Sequence, residues 1–365
     1  MTDSVPQIPL QPVLTTVVGL ASLATALLIL PFRVRKIEEN LEPFFLVMGV
    51  ASVSVSGLWS WPVIIEALKA PIMIGTVPVG IFQVVLVMGL LIHYANAPFS
   101  RWILRLARKL GHRLFLFLLI AVLGILSSVL SVIVTAVLLA EIAVTLPLSG
   151  KERKKLVVIA CFATGLGACL SPLGEPLSTI LVSKLAGPPY HAGFFFPLKH
   201  FGILMIPGVL ALALLGAFWI GPRMSAFARG VHTHDPETLK SVVLRSLKIY
   251  MFIAALVLIG EGFKPLMVWY ISKIPSGLLF WANMSSAVLD NATLTAIEIG
   301  PAMALSQIVG IVMGLSISGG MLIPGNIPNI VAAGRLKISM KEWAAVGLPL
   351  GLTMMAIYFA ILYIF

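Results

Sequence analysis

Residues 285–296 read SSAVLDNATLTA and place Asp290, Asn291, Thr293 and Thr295 inside an apolar tract with no Lys or Arg between Lys273 and Arg335. An ionisable group at that depth is costly and marks a functional site by default. The rest of the chain reads as a means of holding this polar tip halfway across a membrane. Of the 365 residues, 59% are hydrophobic and 11% charged, and the mean hydropathy is +1.05. A water-soluble domain could not hide so much apolar surface, so the expected fold class is an all-α polytopic membrane protein.

Residues 13–30 form the first apolar stretch. Asp3 precedes it instead of a basic segment, and Pro31, Arg33, Arg35 and Lys36 follow it instead of a small-residue cleavage site. It therefore reads as a span, not a signal peptide. The net charge of +11 records loop charges that set topology, and no nucleic-acid partner is expected. Cys161 and Cys169 lie about 12 Å apart along a helix, too far for a disulfide, and read as packing residues.

The basic clusters order the spans. Arg33, Arg35 and Lys36 are placed inside and the N-terminus outside. A span from 43 to 59 leads to a short outer segment, 61–70, and a third span, 71–94, returns to the inner-surface stretch RWILRLARKLGHR, 101–113. Residues 114–148 would reach about 50 Å as one helix against a hydrocarbon core of about 30 Å. Basic residues stand at both ends, so this tract is expected to be a re-entrant hairpin turning near residues 131–135. SPLGEP, 171–176, then breaks the next span at depth. A further span, 200–220, returns inside, to a basic linker holding HTHD, 232–235, which reads as solvated linker rather than metal site.

The second half repeats this plan upside down: a span at 249–262, a hairpin at 278–303 with its tip at Asp290, a broken span containing GGMLIPGNIPN, 319–329, and a last span at 343–365 ending outside. SSVLSVIVTAV from Ser127 parallels SSAVLDNATLTAI from Ser285, and GACLSPLGEPLSTI from Gly167 parallels GGMLIPGNIPNI from Gly319. An offset of about 150 to 160 residues with opposite topology is the mark of inverted repeats. The domain reading is then 1–70, N-terminal scaffold spans; 71–222, a first repeat with hairpin 114–148 and broken helix 156–186; 223–248, a cytoplasmic linker; and 249–365, an inverted second repeat with hairpin 278–303 and broken helix 304–334. Only Lys69, Lys184, Lys199, Lys264 and Lys273, five of the 25 Lys and Arg, fall outside.

At these hairpins and breaks the sequence resembles the ion transporter superfamily, whose sodium/proton antiporters and arsenite carriers carry Ser-x-x-x-Asp-Asn-x-x-x-Thr-like tips followed by Gly- and Pro-rich broken helices. RKIEENLEPFFLVMG, 35–49, further resembles a prokaryotic family of predicted cation transporters. The resemblance implies a multi-pass protein of a prokaryotic cell membrane, an elevator-like movement and a homodimer. It departs at the first tip, where Ser131 and Val132 stand in place of Asp and Asn.

Asp290 is the strongest candidate for cation and proton binding, since the dipole of the helix it begins favours its charge while burial opposes it. Glu175, between Gly174 and Pro176, is its expected partner as a sodium ligand. Asn291, Thr293, Asn326, Asn329, Ser131, Thr135, Ser171 and Ser178 offer neutral oxygens, and Gly174 and Gly325 offer backbone carbonyls, toward the about five or six oxygens a hard cation takes. Glu141 and Glu298, two to three turns past the tips, read equally as proton-relay groups or as structural acids near the surface.

The function expected is secondary cation transport, with sodium and protons as the exchanged ions and no cofactor. The alternatives are an anion carrier for arsenite or a carboxylate, an intramembrane aspartyl protease, and a passive channel. The protease needs two catalytic Asp, and Asp290 is the only Asp in an apolar span. No enzymatic activity and no nucleotide-driven pumping are expected, because G-x-x-x-x-G-K-[ST] is absent.

Overall fold

The computed structural model describes residues 8, 9, 11–38, 40–73, 81–224, 238–270, 274–289 and 291–364. Those residues form helices and connecting segments, with no strand among them. In chain order the helices are α1 (Leu14–Arg33), α2 (Arg35–Glu38), α3 (Leu41–Ser56), α4 (Trp61–Lys69), α5 (Ile81–Leu110), α6 (His112–Leu130), α7 (Val132–Thr145) and α8 (Gly150–Ala168). They continue as α9 (Pro176–Lys184), α10 (Phe196–Trp219), α11 (Leu239–Trp269), α12 (Ser276–Ala282), α13 (Asn291–Glu298), α14 (Leu305–Ser318), α15 (Ile327–Leu336) and α16 (Met340–Tyr363). Among the described residues, five helical segments are long and apolar enough to cross a membrane, built on α1, α6, α10, α11 and α16. The fold is that of a helical, multi-pass membrane protein.

Local chemistry sets the helix ends. Thr238 and Ser149 cap α11 and α8 by accepting from the backbone N–H of Ser241 and Glu152, each at 3.3 Å. Ser339 and Glu342 cap α16 reciprocally. Gly57 ends α3 in the left-handed conformation that glycine adopts without strain.

Close helix contacts run through small residues, as expected where lipid supplies no hydrophobic drive between helices. On α3, Gly49 lies so near α11 that a Cβ would come within 2.9 Å of the Ala255 carbonyl oxygen. Phe45 and Phe252 stack across the same interface with centroids 5.0 Å apart. On the other side, α6, α8 and α10 pack together. There a Cβ on Gly167 would fall 1.7 Å from the Gly124 carbonyl oxygen.

Several boundaries differ from the sequence reading. Residues 81–110 are one helix rather than a span followed by a surface segment, and Pro98 is held inside it. The linker expected over 223–248 overlaps a helix, because α11 begins at Leu239 and runs for 31 residues to Trp269, past the expected end of the span at 262. Trp269 is buried and donates its indole N–H to the Pro9 carbonyl at 2.7 Å. The first broken helix starts at Gly150, not 156, because the Ser149 cap recruits the lysine cluster into α8. The chain bends at Ser131 between α6 and α7, and α6 is long enough by itself to cross. Over 276–298 α12 has seven residues, a 3-10 turn spans Asn283–Ala287, and α13 has eight.

Candidate functional site

Two breaks define the centre of the molecule. Pro172 and Pro176 interrupt the chain between α8 and α9, and Pro324 and Pro328 interrupt it between α14 and α15. Glu175 and Asn326 each occupy the residue before the resumed helix, in nearly the same extended backbone, φ −153° with ψ 161° and φ −152° with ψ 149°. They are 151 positions apart (326 − 175), and the neighbouring contacts keep that spacing. Gly174 sits against the Ala168 carbonyl oxygen, where a Cβ would fall at 1.9 Å, and Gly325 against that of Gly319, at 2.5 Å. Ser178 donates to the Cys169 carbonyl at 3.1 Å, and Asn329 donates to the Gly319 and Leu322 carbonyls at 2.8 Å each.

The segments around Ser131 and Ser286 lie against these breaks. Ser131, at φ 71°, caps α7 by accepting from Ile133 N–H at 3.3 Å, and Val132 N–H donates to the Gly174 carbonyl at 2.9 Å. Ser171 donates to the Ser128 carbonyl. Ser127 reaches the Thr164 carbonyl on α8 at 2.9 Å, and Ser286 the Leu315 carbonyl on α14 at 3.4 Å, again 151 apart on the accepting helices (315 − 164). Ser286 also donates to the Asn291 side-chain oxygen.

A small pocket lies where the parts meet. Its volume is about 20 Å³, and Glu175, Asn291, Asn326, Pro324 and Gly325 contribute to its wall, closed on the α11 side by Leu256. That holds about one water-sized body. No Lys or Arg is among the described residues lining it. The first turns of α9, α13 and α15 all begin at this wall. Their N-terminal dipoles favour negative charge there, which suits a buried carboxylate at Glu175. Glu175 is 5% exposed, and its Oε1 accepts from the Cys169 thiol at 2.5 Å, while that thiol lies 3.0 Å from the Ser316 hydroxyl on α14.

Of the expected site residues, Glu175, Asn291 and Asn326 are thus brought to one cavity; Gly174 directly precedes Glu175 in the chain, and Ser131 directly precedes Val132, which donates to the Gly174 carbonyl. Thr135 instead bonds the Ser131 and Val132 carbonyls of its own helix, and Ser171 and Asn329 bind backbone that shapes the breaks. Asp290, HTHD at 232–235 and the Thr293 side chain lie outside the described residues. Cys169 is a correction: it is no mere packing residue but the donor to Glu175. Only its place six residues before Glu175, beside a break, hinted at this.

The two remaining acids part company. Glu141 on α7 is buried and forms a two-pronged pair with Arg335 on α15, Nε–Oε1 2.5 Å and Nη2–Oε2 2.9 Å, with Arg245 of α11 at 3.6 Å. This cluster adjoins a cavity of about 790 Å³ between α3, α11 and α15, whose walls carry Glu42, Arg245, Lys248, Arg335 and Lys337. Glu298, at the end of α13, is also buried but stands in neither cavity wall.

Fold and site together define a polytopic helical membrane protein with a buried polar centre built from two broken helices. The chain belongs to the DUF1646 family of proteins of unknown function, whose model matches residues 17–365. A search of curated proteins finds no match.

Proposed function

We propose that this protein is a secondary cation transporter that exchanges sodium for protons, with Glu175 as a central ligand. The observation carrying the reading is the one-water cavity whose wall brings the buried Glu175 together with Asn291 and Asn326 between two unwound segments. Hard oxygen donors around a space of that size suit a dehydrated monovalent cation or a proton-bearing water. Unwound backbone at membrane depth is tolerated where it lines such a site.

The constant spacing of the break contacts supports inverted repeats, a common plan of secondary transporters with the ion site at the repeat interface. On this reading α6–α7 and α12–α13 are the re-entrant hairpins, and Asp290 joins Glu175 from the second tip. The helices carrying the tips and breaks move against α3, α5 and α11, and the basic 790 Å³ cavity is the aqueous approach from the cytoplasmic side. Glu141 is a tether within this assembly rather than a relay.

A second reading is anion transport, favoured by the three helix N-termini at the cavity. Glu175 already supplies negative charge there, and the space is far below that of a carboxylate substrate. Purified protein in liposomes with an internal pH dye separates the two. Saturable proton movement driven by sodium or lithium, and lost in Asp290→Asn and Glu175→Gln, is the expected result. Uptake of arsenite or a dicarboxylate without any cation-driven pH change would replace this reading with the second.

A further inference from the structure

We propose that the exchanged proton is carried at Glu298, opposite Asn283, in a site separate from the cation cavity; this rests on the exchange reading above. Glu298 and Asn283 are buried, at 7% and 0% exposure. Both carboxyl oxygens of Glu298 and both polar atoms of the Asn283 side chain are buried without a well-formed hydrogen bond, and the two side chains interact only weakly with each other. The Ser285 hydroxyl oxygen nearby in sequence is buried and without a well-formed partner as well. While these surroundings stay closed to water they suit a neutral carboxyl with a donor-acceptor amide beside it, and a charged carboxylate only once water enters.

The pocket is fixed from several sides. Ser318 on α14 donates to the Asn283 backbone carbonyl at 2.6 Å, and Gly314 admits the Asn283 side chain against the same helix. Lys184, at the end of α9, donates to the Ile299 carbonyl at 3.1 Å, just beyond Glu298. The other charged groups at the helices packed on α13 are Glu175, just before α9, and, on α11, the Glu261–Lys264 pair together with Lys240, Arg245 and Lys248 toward the opposite end. α14 carries no charge.

Glu298 follows Asn291 by seven residues on α13, so the two lie on one face about 10 Å apart. One short helix therefore starts at the cation cavity and ends at the carboxyl group. The proton added to a Glu298 oxygen from the aqueous side is the same proton released when the site opens on the other side, and no other bond changes. Glu141, by contrast, is engaged by two arginines.

The test uses the full chain in liposomes and two transport measurements. Radioactive sodium self-exchange needs the cation site alone, while sodium-driven pH change needs both sites. In Glu298→Gln, self-exchange is expected to stay within about twofold of wild type while the pH change falls by about tenfold or more. Asn283→Ala is expected to move the pH profile of exchange with self-exchange retained. Equal loss of both measurements in Glu298→Gln, or an unchanged pH response, overturns the assignment. pH-difference infrared spectroscopy gives a readout free of transport: a protonated-carboxyl band should vanish in Glu298→Gln and persist in Glu175→Gln. If wild type exchanges no sodium and moves no protons, the exchange reading falls, and the infrared band alone decides whether Glu298 holds a proton; its persistence in Glu298→Gln refutes that too.

Discussion

Glu175 and Asn326 are the same structural position used twice, once with a charge and once without: each is the extended residue before a resumed helix, and both face one cavity. The chemical inequality predicts unequal substitutions. Glu175→Gln should abolish sodium-driven proton movement, by about a hundredfold, since a charge-assisted ligand is lost. Asn326→Ala should weaken apparent sodium affinity by about tenfold, with the maximal rate less affected. Concentration series in liposomes measure both; equal effects of the two substitutions would refute the asymmetry.

Gly174 and Gly325 are predicted to be intolerant of a methyl group. Each would push a Cβ onto a backbone carbonyl, at 1.9 and 2.5 Å, which no side-chain rotation relieves. Gly174→Ala and Gly325→Ala should each cost about 1 to 3 kcal/mol and lower the unfolding midpoint in detergent. Gly150→Ala, with nothing within 4 Å and a helical position, is the control expected to match or exceed wild type.

The Glu141 cluster should behave as a buried ion pair. Removing one partner strands the other, so Glu141→Leu or Arg335→Leu alone is predicted to cost about 3 kcal/mol. The double substitution should cost less than the sum of the two, a coupling of about 1 kcal/mol or more in a double-mutant cycle. Arg245→Leu, losing a contact at 3.6 Å, should be milder. Strict additivity would show that the pair contributes nothing.

Cys169 and Cys161 are predicted to differ although both are buried. Cys169→Ala removes the donor to Glu175 and should raise the sodium concentration for half-maximal exchange about fivefold or more, with Cys169→Ser restoring part of it. Cys161, whose thiol meets the Pro328 carbonyl at 3.6 Å, should tolerate alanine within about twofold. Flux curves for the three variants decide this.

The breaks were legible in the sequence because proline and glycine within a few residues leave the backbone little choice, and Glu175 and Asn326 stand out beside them. Helix lengths were less legible. The expected spans ended at 94 and 262, whereas α5 and α11 run on through Pro98 and Pro265, as neighbouring helices in a membrane protein permit. Lys240, Arg245 and Lys248 read as a basic linker, yet all three lie on α11. The pairing of Glu141 with Arg335 spans 194 residues, and no local pattern announces it. Asn283 sits two residues before the stretch 285–296 that drew attention, and nothing short of the packed fold sets it against Glu298.

On the proposed transport reading, the smallness of the central cavity sets the terms on which an ion is chosen. A body of about one water's size must arrive stripped of its own hydration shell, and the oxygens of the wall must replace that shell. Affinity is then the difference between two solvations, one by water and one by Glu175, the two asparagines and nearby carbonyls. An ion too large strains the wall, and one too strongly hydrated is not compensated by it. Discrimination between lithium, sodium and potassium would thus be governed by how stiffly Pro172, Pro176, Pro324 and Pro328 brace the two unwound segments, and loosening that bracing should relax selectivity before it lowers the transport rate.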